Sequence, residues 1–186
     1  GVGLLYRRRG VSIEPLLHGG AQERGYRAGT ENVAGIVGFA NAAKALFETE
    51  GTKDSQALAF SSTTIQAIKM QAQLRNYLIE QLQAIPDVYI NALSAQRLPG
   101  IVSASFRGLS AETLLMCLDQ VGICVSAGSA CASGSLEPSH VLVAMGLDPH
   151  WAQGTIRFSF SEQTTKEELD YAFVHLKEIV ERLRGV

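Results

Sequence analysis

Residues 101–126 read IVSASFRGLSAETLLMCLDQVGICVS and pass through three hydrophobic patterns in turn. Ile101–Phe106 is a β-prone run, which predicts a strand. Ser110 can cap a helix that Gly122 ends and that carries one apolar stripe (Leu114, Leu115, Leu118 and Val121). Ile123–Ser126 predicts another strand. A strand, a helix and a strand in succession indicate an α/β domain.

The alternation continues on both sides of this stretch. A long helix with its apolar residues in phase ends before Pro86, and Val88–Asn91 predicts a strand. Pro138 predicts the start of a helix that Gly146 ends. Thr155–Phe160 alternates as a strand does. The last helix begins with a capping box formed by Thr165 and Glu168.

The first part of the chain is rich in glycine. Gly1–Gly10 contains a short β-prone run that a basic cluster stops, and His18–Asn32 predicts a polar loop. A helix follows, with its apolar stripe running from Val33 to Phe47. Residues 49–56 break this pattern, and we therefore predict a division into domains 1–50 and 51–186.

Composition excludes several classes of protein. The chain has 186 residues and a formal net charge of -2, which disfavours nucleic acids and anionic membranes as partners. Three cysteines are typical of a reducing compartment rather than of a secreted disulfide scaffold, so we expect a cytoplasmic protein. Because the first residue is Gly1 rather than Met, we expect the chain to be part of a longer product.

The three cysteines lie in different surroundings. Cys131 lies in a run of small residues, SAGSACASGS, which predicts a mobile segment able to carry a thiol between two places. A small turn residue or a free surface thiol is the alternative interpretation. Cys117 and Cys124 lie within apolar runs, which predicts core positions. Their spacing offers no C-x-x-C pair, and we expect no metal site.

Two basic positions are candidates for binding anions. Arg157 lies in a strand, on the face opposite Ile156 and Phe158, where it is either solvated or binds a carboxylate through its planar fork. The loop with Arg24 and Arg27 ends at Thr30, just before a helix. It is either a phosphate site or a solvated connector.

Two groups of motifs resemble a known family. Ser129-Ala130-Cys131 is followed by Leu136-Glu137-Pro138-Ser139-His140, and Gln22-Glu23-Arg24-Gly25 is followed by Ala28-Gly29-Thr30. Together they resemble the carboxy-terminal half of a NifS/IscS-type cysteine desulfurase. This family has the type I fold of pyridoxal-phosphate enzymes. The resemblance implies that 1–50 ends the large cofactor-binding domain and that 51–186 is the small carboxy-terminal α/β domain.

The resemblance also implies a role for each candidate residue. Cys131 matches the cysteine that attacks the substrate sulfur and becomes a persulfide. Arg157 matches the arginine that holds the α-carboxylate of L-cysteine, which is converted to L-alanine. Thr30 matches a residue that reaches the phosphate of pyridoxal 5'-phosphate in the other subunit of a homodimer. The sulfur would pass to an iron–sulfur scaffold or another acceptor.

The chain departs from the family pattern at three places. Ala21 stands where many members have a third glycine, and Ser161-Glu162-Gln163 replaces a Gly-Arg-aromatic stretch. No lysine of the chain matches the one that attaches the cofactor, which would precede Gly1. We therefore expect the isolated chain to be inactive and to need the amino-terminal part of the enzyme. The alternatives are a selenocysteine lyase, a class V aminotransferase, or a non-enzymatic dimerisation or docking fragment.

Overall fold

The computed structural model describes residues 1–52, 55–127 and 139–185, with 48–52 and 55–58 described by their backbone alone. The chain forms two compact units, 1–64 and 65–186. The domain boundary predicted between residues 50 and 51 stays a prediction. No helix within the described ranges is long and apolar enough to cross a membrane.

The described part of the unit 65–186 contains one antiparallel sheet, formed by the strands β3 (Val88–Ile90), β4 (Ile101–Phe106), β5 (Ser126–Ala127) and β6 (Thr155–Ser159). The strands pair in the order β3-β4-β6-β5. Three predicted strands are thus confirmed, with bounds that differ by no more than one residue. The prediction for residues 123–126 was wrong in extent. Gly122 turns with φ +76° and the Ile123 amide donates to the Leu118 carbonyl, so the chain is still leaving the helix there.

Within the described residues, five helices accompany this sheet: α2 (Ser62–Gln83), α3 (Ala111–Asp119), α4 (His140–Ala144), α5 (Pro149–Ala152) and α6 (Lys166–Arg184). The predicted capping box of α6 is confirmed. The Thr165 hydroxyl accepts from the Glu168 amide at 3.2 Å, and the Glu168 carboxylate accepts from the Thr165 amide at 2.9 Å. The short helix α5 was not predicted. The Asp148 carboxylate caps it by accepting from the His150 amide.

The core lies between the sheet and the long helices. Its largest fully buried members come from α2, β4, α3, β6 and α6 and include Leu78, Leu82, Phe106, Leu114, Leu118, Ile156 and Leu176. Burying each such side chain stabilises the fold by about 1.5–3 kcal/mol. Gly154 packs against the backbone of Phe106 and Leu109, where no space remains for a side chain. A Cβ there would lie 2.8 Å from the Leu109 carbonyl oxygen and closer still to that of Phe106.

A polar contact joins α2 to α6 at the surface. The Tyr77 hydroxyl donates to the Asp170 carboxylate, and Lys166 Nζ lies 3.0 Å from Tyr77 and 2.9 Å from Asp170. The hydrogen bond from Tyr77, followed by that from Lys166, lowers the pKa of Asp170. The hydrogen bond to Tyr77, followed by that to Asp170, raises the pKa of Lys166.

The structure of the unit 1–64 differs from two of the predictions made from the sequence. Residues 1–8 form no strand. Leu4, Leu5 and Tyr6 are 76–81% exposed, and no described strand pairs with them to satisfy their backbone hydrogen bonds.

The predicted helix is α1 (Val33–Leu46), but Phe47 begins a strand instead of ending the helix. β1 (Phe47–Thr52) and β2 (Ser55–Phe60) pair antiparallel, so the predicted break at 49–56 lies within a hairpin. The rings of Phe47 and Phe60 stack at 5.0 Å.

Candidate functional site

Arg157 lies in the middle of β6, between two strands. Ser103 of β4 opposes it on one side and Ser126 of β5 on the other. Its sequence neighbours Ile156 and Phe158 are 0% and 5% exposed and belong to the core, so alternation along the strand places Arg157 on the opposite face of the sheet. This is the face that the sequence predicted.

Arg157 is a half-buried residue. Its Nε is buried and has no hydrogen-bond partner among the described residues. An unpaired buried donor destabilises a fold by about 1–3 kcal/mol. A solvated arginine avoids this loss because water reaches its nitrogens. The geometry therefore favours a ligand of opposite charge over simple solvation.

A polar network on the same sheet was missed at the level of sequence. Asn91 Nδ2 donates to Ser103 Oγ at 3.0 Å and to Ser105 Oγ at 2.9 Å. Ser105 Oγ lies 2.7 Å from Thr155 Oγ1, which donates to the Trp151 carbonyl at 3.2 Å. The signal was present as alternation, because Ser103 and Ser105 lie two residues apart in β4 and Thr155 lies two residues before Arg157.

Thr30 lies in the other unit, in an exposed loop before α1. Gln22 closes part of this loop by accepting from the Gly29 amide at 3.2 Å, and Gly29 has φ +106°. At the helix start, the Asn32 side chain accepts from the Gly35 amide at 3.1 Å. One of the helix amides that were predicted to bind an anion is therefore already bonded to the Asn32 side chain. The Thr30 hydroxyl has no hydrogen-bond partner in the described part of the chain.

Cys131 lies outside the described residues, and so does Pro138. The structure describes the elements on either side of this segment: β5 ends at Ala127, and α4 follows Ser139.

Cys117 is partly buried against the core, with its Sγ 3.5 Å from Arg182 Nη2. The prediction of a core position for Cys124 was wrong. Cys124 is exposed because the neighbouring Ile123 and Val125 turn toward the core instead.

Comparison with known proteins identifies the family. The family model described as aminotransferase class-V matches residues 1–172. The chain belongs to the class-V aminotransferase family. Class-V aminotransferases have the type I fold and depend in general on pyridoxal phosphate. The fold class expected from the sequence is therefore confirmed.

The relatives of the chain confirm the narrower resemblance. It is 49% identical to a cysteine desulfurase from a Nostoc strain and 43% identical to a cysteine desulfurase IscS from Dictyoglomus turgidum. Both matches cover all of this chain but only 43% and 44% of the relatives. A solved NifS-like protein matches with a TM-score of 0.70 at 36% identity, over 97% of this chain and 42% of that one. The chain thus spans less than half the length of these relatives.

Proposed function

We propose that this class-V aminotransferase chain is the carboxy-terminal part of a cysteine desulfurase, which converts L-cysteine to L-alanine and transfers the sulfur to Cys131. One observation carries the proposal: Arg157 lies beside the strand that leads to Cys131, and its buried Nε has no partner among the described residues. β5 pairs with β6 at Arg157 through Ser126, and Cys131 is five residues further along the chain. Five residues span at most about 18 Å.

Arg157 binds the α-carboxylate of the substrate in this proposal. A carboxylate accepts two parallel hydrogen bonds from a guanidinium, and the resulting charge-assisted pair is stronger than neutral hydrogen bonds. A carboxylate also supplies the partner that the Nε lacks among the described residues. The core residues Ile156 and Phe158 hold β6 in place, so the charge is presented from a fixed strand.

Cys131 is the proposed acceptor of sulfur. Its thiolate attacks the sulfur of the bound cysteine, and a new S–S bond forms while the C–S bond breaks. The electron pair of that bond remains on the carbon side, where protonation completes L-alanine. Cys131 is left as a persulfide, whose outer sulfur passes to an iron–sulfur scaffold or another acceptor. The cysteine desulfurases that resemble this chain support the proposed role.

The residues present fit part of a pyridoxal 5'-phosphate site. Arg157 offers the substrate a donor that has no partner in the described part of the chain, and Thr30 offers an exposed hydroxyl for the cofactor phosphate of the partner subunit in a homodimer. When bound, the cofactor withdraws electrons and so weakens the Cα–H bond of the substrate. This chain contributes the nucleophile, the carboxylate clamp and the phosphate contact.

The attachment lysine is proposed to come from the amino-terminal part of the enzyme. Lys44 and Lys69 lie in helices α1 and α2, and Lys53 lies outside the described residues. Lys166 is bonded to Tyr77 and Asp170, and Lys177 lies within α6 near Glu181. None has the sequence context of the family's cofactor lysine. Residues 1–186 alone are therefore inactive in this proposal. The proposal also places the complete enzyme in the cytoplasm.

Replacement of Cys131 in the complete enzyme tests the proposal. Cys131→Ala should abolish alanine formation from L-cysteine while leaving the cofactor absorbance unchanged. Cys124→Ala is the matched control, because it removes an exposed thiol outside the motif and should retain activity. Residues 1–186 alone should form no alanine. Near-normal turnover by Cys131→Ala would refute sulfur transfer and favour an aminotransferase, which needs no such thiol.

A further inference from the structure

The polar network beside Arg157 has a definite direction. Thr155 has one hydroxyl proton, which it donates to the Trp151 carbonyl at 3.2 Å. Thr155 Oγ1 must therefore accept the proton of Ser105, which lies 2.7 Å away. Ser105 in turn accepts from Asn91 at 2.9 Å. Every proton of this branch is thus assigned, from Asn91 through Ser105 to the Trp151 carbonyl.

The other branch of the network leaves one donor free. Asn91 gives its second amide proton to Ser103 Oγ at 3.0 Å. The hydroxyl proton of Ser103 has no acceptor among the described residues. Asn91 is only 6% exposed, and its hydrogen bond to the half-buried Ser103 keeps the Ser103 oxygen in the role of acceptor. The network therefore leaves Ser103 as a hydroxyl donor.

Ser103 and Arg157 are direct cross-strand neighbours. In the register of β4 and β6 they oppose each other, which places both side chains on the same face of the sheet. Side chains in such a pair have Cβ atoms about 5 Å apart. A hydroxyl with a free proton thus lies next to a guanidinium whose Nε has no partner among the described residues. A carboxylate, which accepts at up to four positions, suits this pair of donors.

We propose that the Ser103 hydroxyl donates a hydrogen bond to the same carboxylate that Arg157 binds. Ser103 is then a specificity-determining residue, which favours α-amino acids over amines that lack a carboxylate. Asn91, which donates to Ser103, acts on the substrate only as a positioning residue, whereas Ser105 bonds Asn91 and Thr155, makes no hydrogen bond with Ser103 and serves the fold. The inference rests on the proposed function for the identity of the ligand.

Equilibrium binding to the complete, cofactor-loaded enzyme tests this inference. The probes are L-alanine and ethylamine, which differ only by the carboxylate, each titrated by the change in cofactor absorbance. Ser103→Ala should weaken L-alanine roughly tenfold, as expected for one hydrogen bond to a charged group, and leave ethylamine unchanged. Ser103→Thr retains the hydroxyl and should restore most of the affinity for L-alanine.

Ser105→Ala is the matched control, because it removes a hydroxyl of the same network that does not oppose Arg157. It should lower the unfolding midpoint while leaving the ratio of the two affinities unchanged. An unchanged affinity for L-alanine in Ser103→Ala, or an equal loss for both probes, would overturn the inference. A wild-type enzyme that binds L-alanine but forms no persulfide from L-cysteine would instead refute the proposed function, and the Ser103 comparison would still be decisive.

Discussion

Replacing Arg157 by methionine should separate the stability of the fold from its activity. The Nε of this arginine is buried without a partner in the described residues, which destabilises the folded state by about 1–3 kcal/mol. Methionine keeps most of the apolar stem and removes the unpaired donor. We therefore expect the free energy of unfolding to rise by about 1 kcal/mol.

The same change should sharply reduce desulfurase activity. Loss of a bidentate, charge-assisted contact removes about 2–4 kcal/mol of binding, which corresponds to roughly a 100-fold loss in kcat/KM. Arg157→Lys should recover little of this, because the ammonium group lacks the planar fork. A gain in stability combined with a loss of activity is typical of a residue retained for binding.

Urea unfolding of the chain provides the stability measurement. Trp151 is the single tryptophan and lies in the unit that contains Arg157, so its fluorescence reports on that unit. Arg184→Met serves as the control. The Arg184 guanidinium donates to the Pro86, Asp87 and Arg107 carbonyls, and its removal should lower the free energy of unfolding by about 1 kcal/mol.

The opposite result for Arg157→Met would refute the reasoning. A fall of about 1 kcal/mol or more in the free energy of unfolding would mean that the guanidinium supports the fold, as that of Arg184 does. An increase in stability with full activity would instead show that Arg157 does not bind the substrate.

Three further predictions concern other parts of the chain. Gly154→Ala should lower the free energy of unfolding by about 3 kcal/mol, because the new Cβ overlaps the Phe106 carbonyl; a change near zero in urea unfolding would contradict this. Asp170 has a lowered pKa, so its contribution should be present above about pH 4 and be lost as the pH falls through the folded-state pKa. The stability difference between wild type and Asp170→Asn should therefore shrink in acid, and a constant difference would refute the assignment. Thr30→Ala should weaken cofactor retention, and exchange of subunits with an inactive Arg157→Ala enzyme should restore some activity; no recovery would place both residues in one site.

The features predicted correctly from the sequence have local causes. β4 follows from a β-prone run and β6 from period-two alternation, and the capping box of α6 depends on Thr165 and Glu168, three residues apart. The motifs around Thr30 and Cys131 identified the family because they are contiguous. The roles of these two residues stay predictions, since Cys131 lies outside the described residues and Thr30 lies in an exposed loop.

Other features depend on partners distant in the chain. Phe47 fits the apolar stripe of α1, but pairing with Phe60 makes it a strand residue. The strand pattern of residues 1–6 formed no strand because no described segment pairs with it. Local hydrophobic periodicity specifies which conformation is favourable, whereas pairing decides whether the backbone hydrogen bonds of a strand are made.

The surroundings of Arg157 were also decided only by the tertiary structure. Alternation alone placed it on a face, with solvation and ligand binding equally open. The register of β6 against β4 and β5 brought Ser103 and Ser126 to its two sides, from 54 and 31 residues away in the sequence (157 − 103 and 157 − 126). In these surroundings its Nε is buried without a hydrogen-bond partner among the described residues. No local pattern encodes such a neighbourhood, because it depends on which strands pair and in which register.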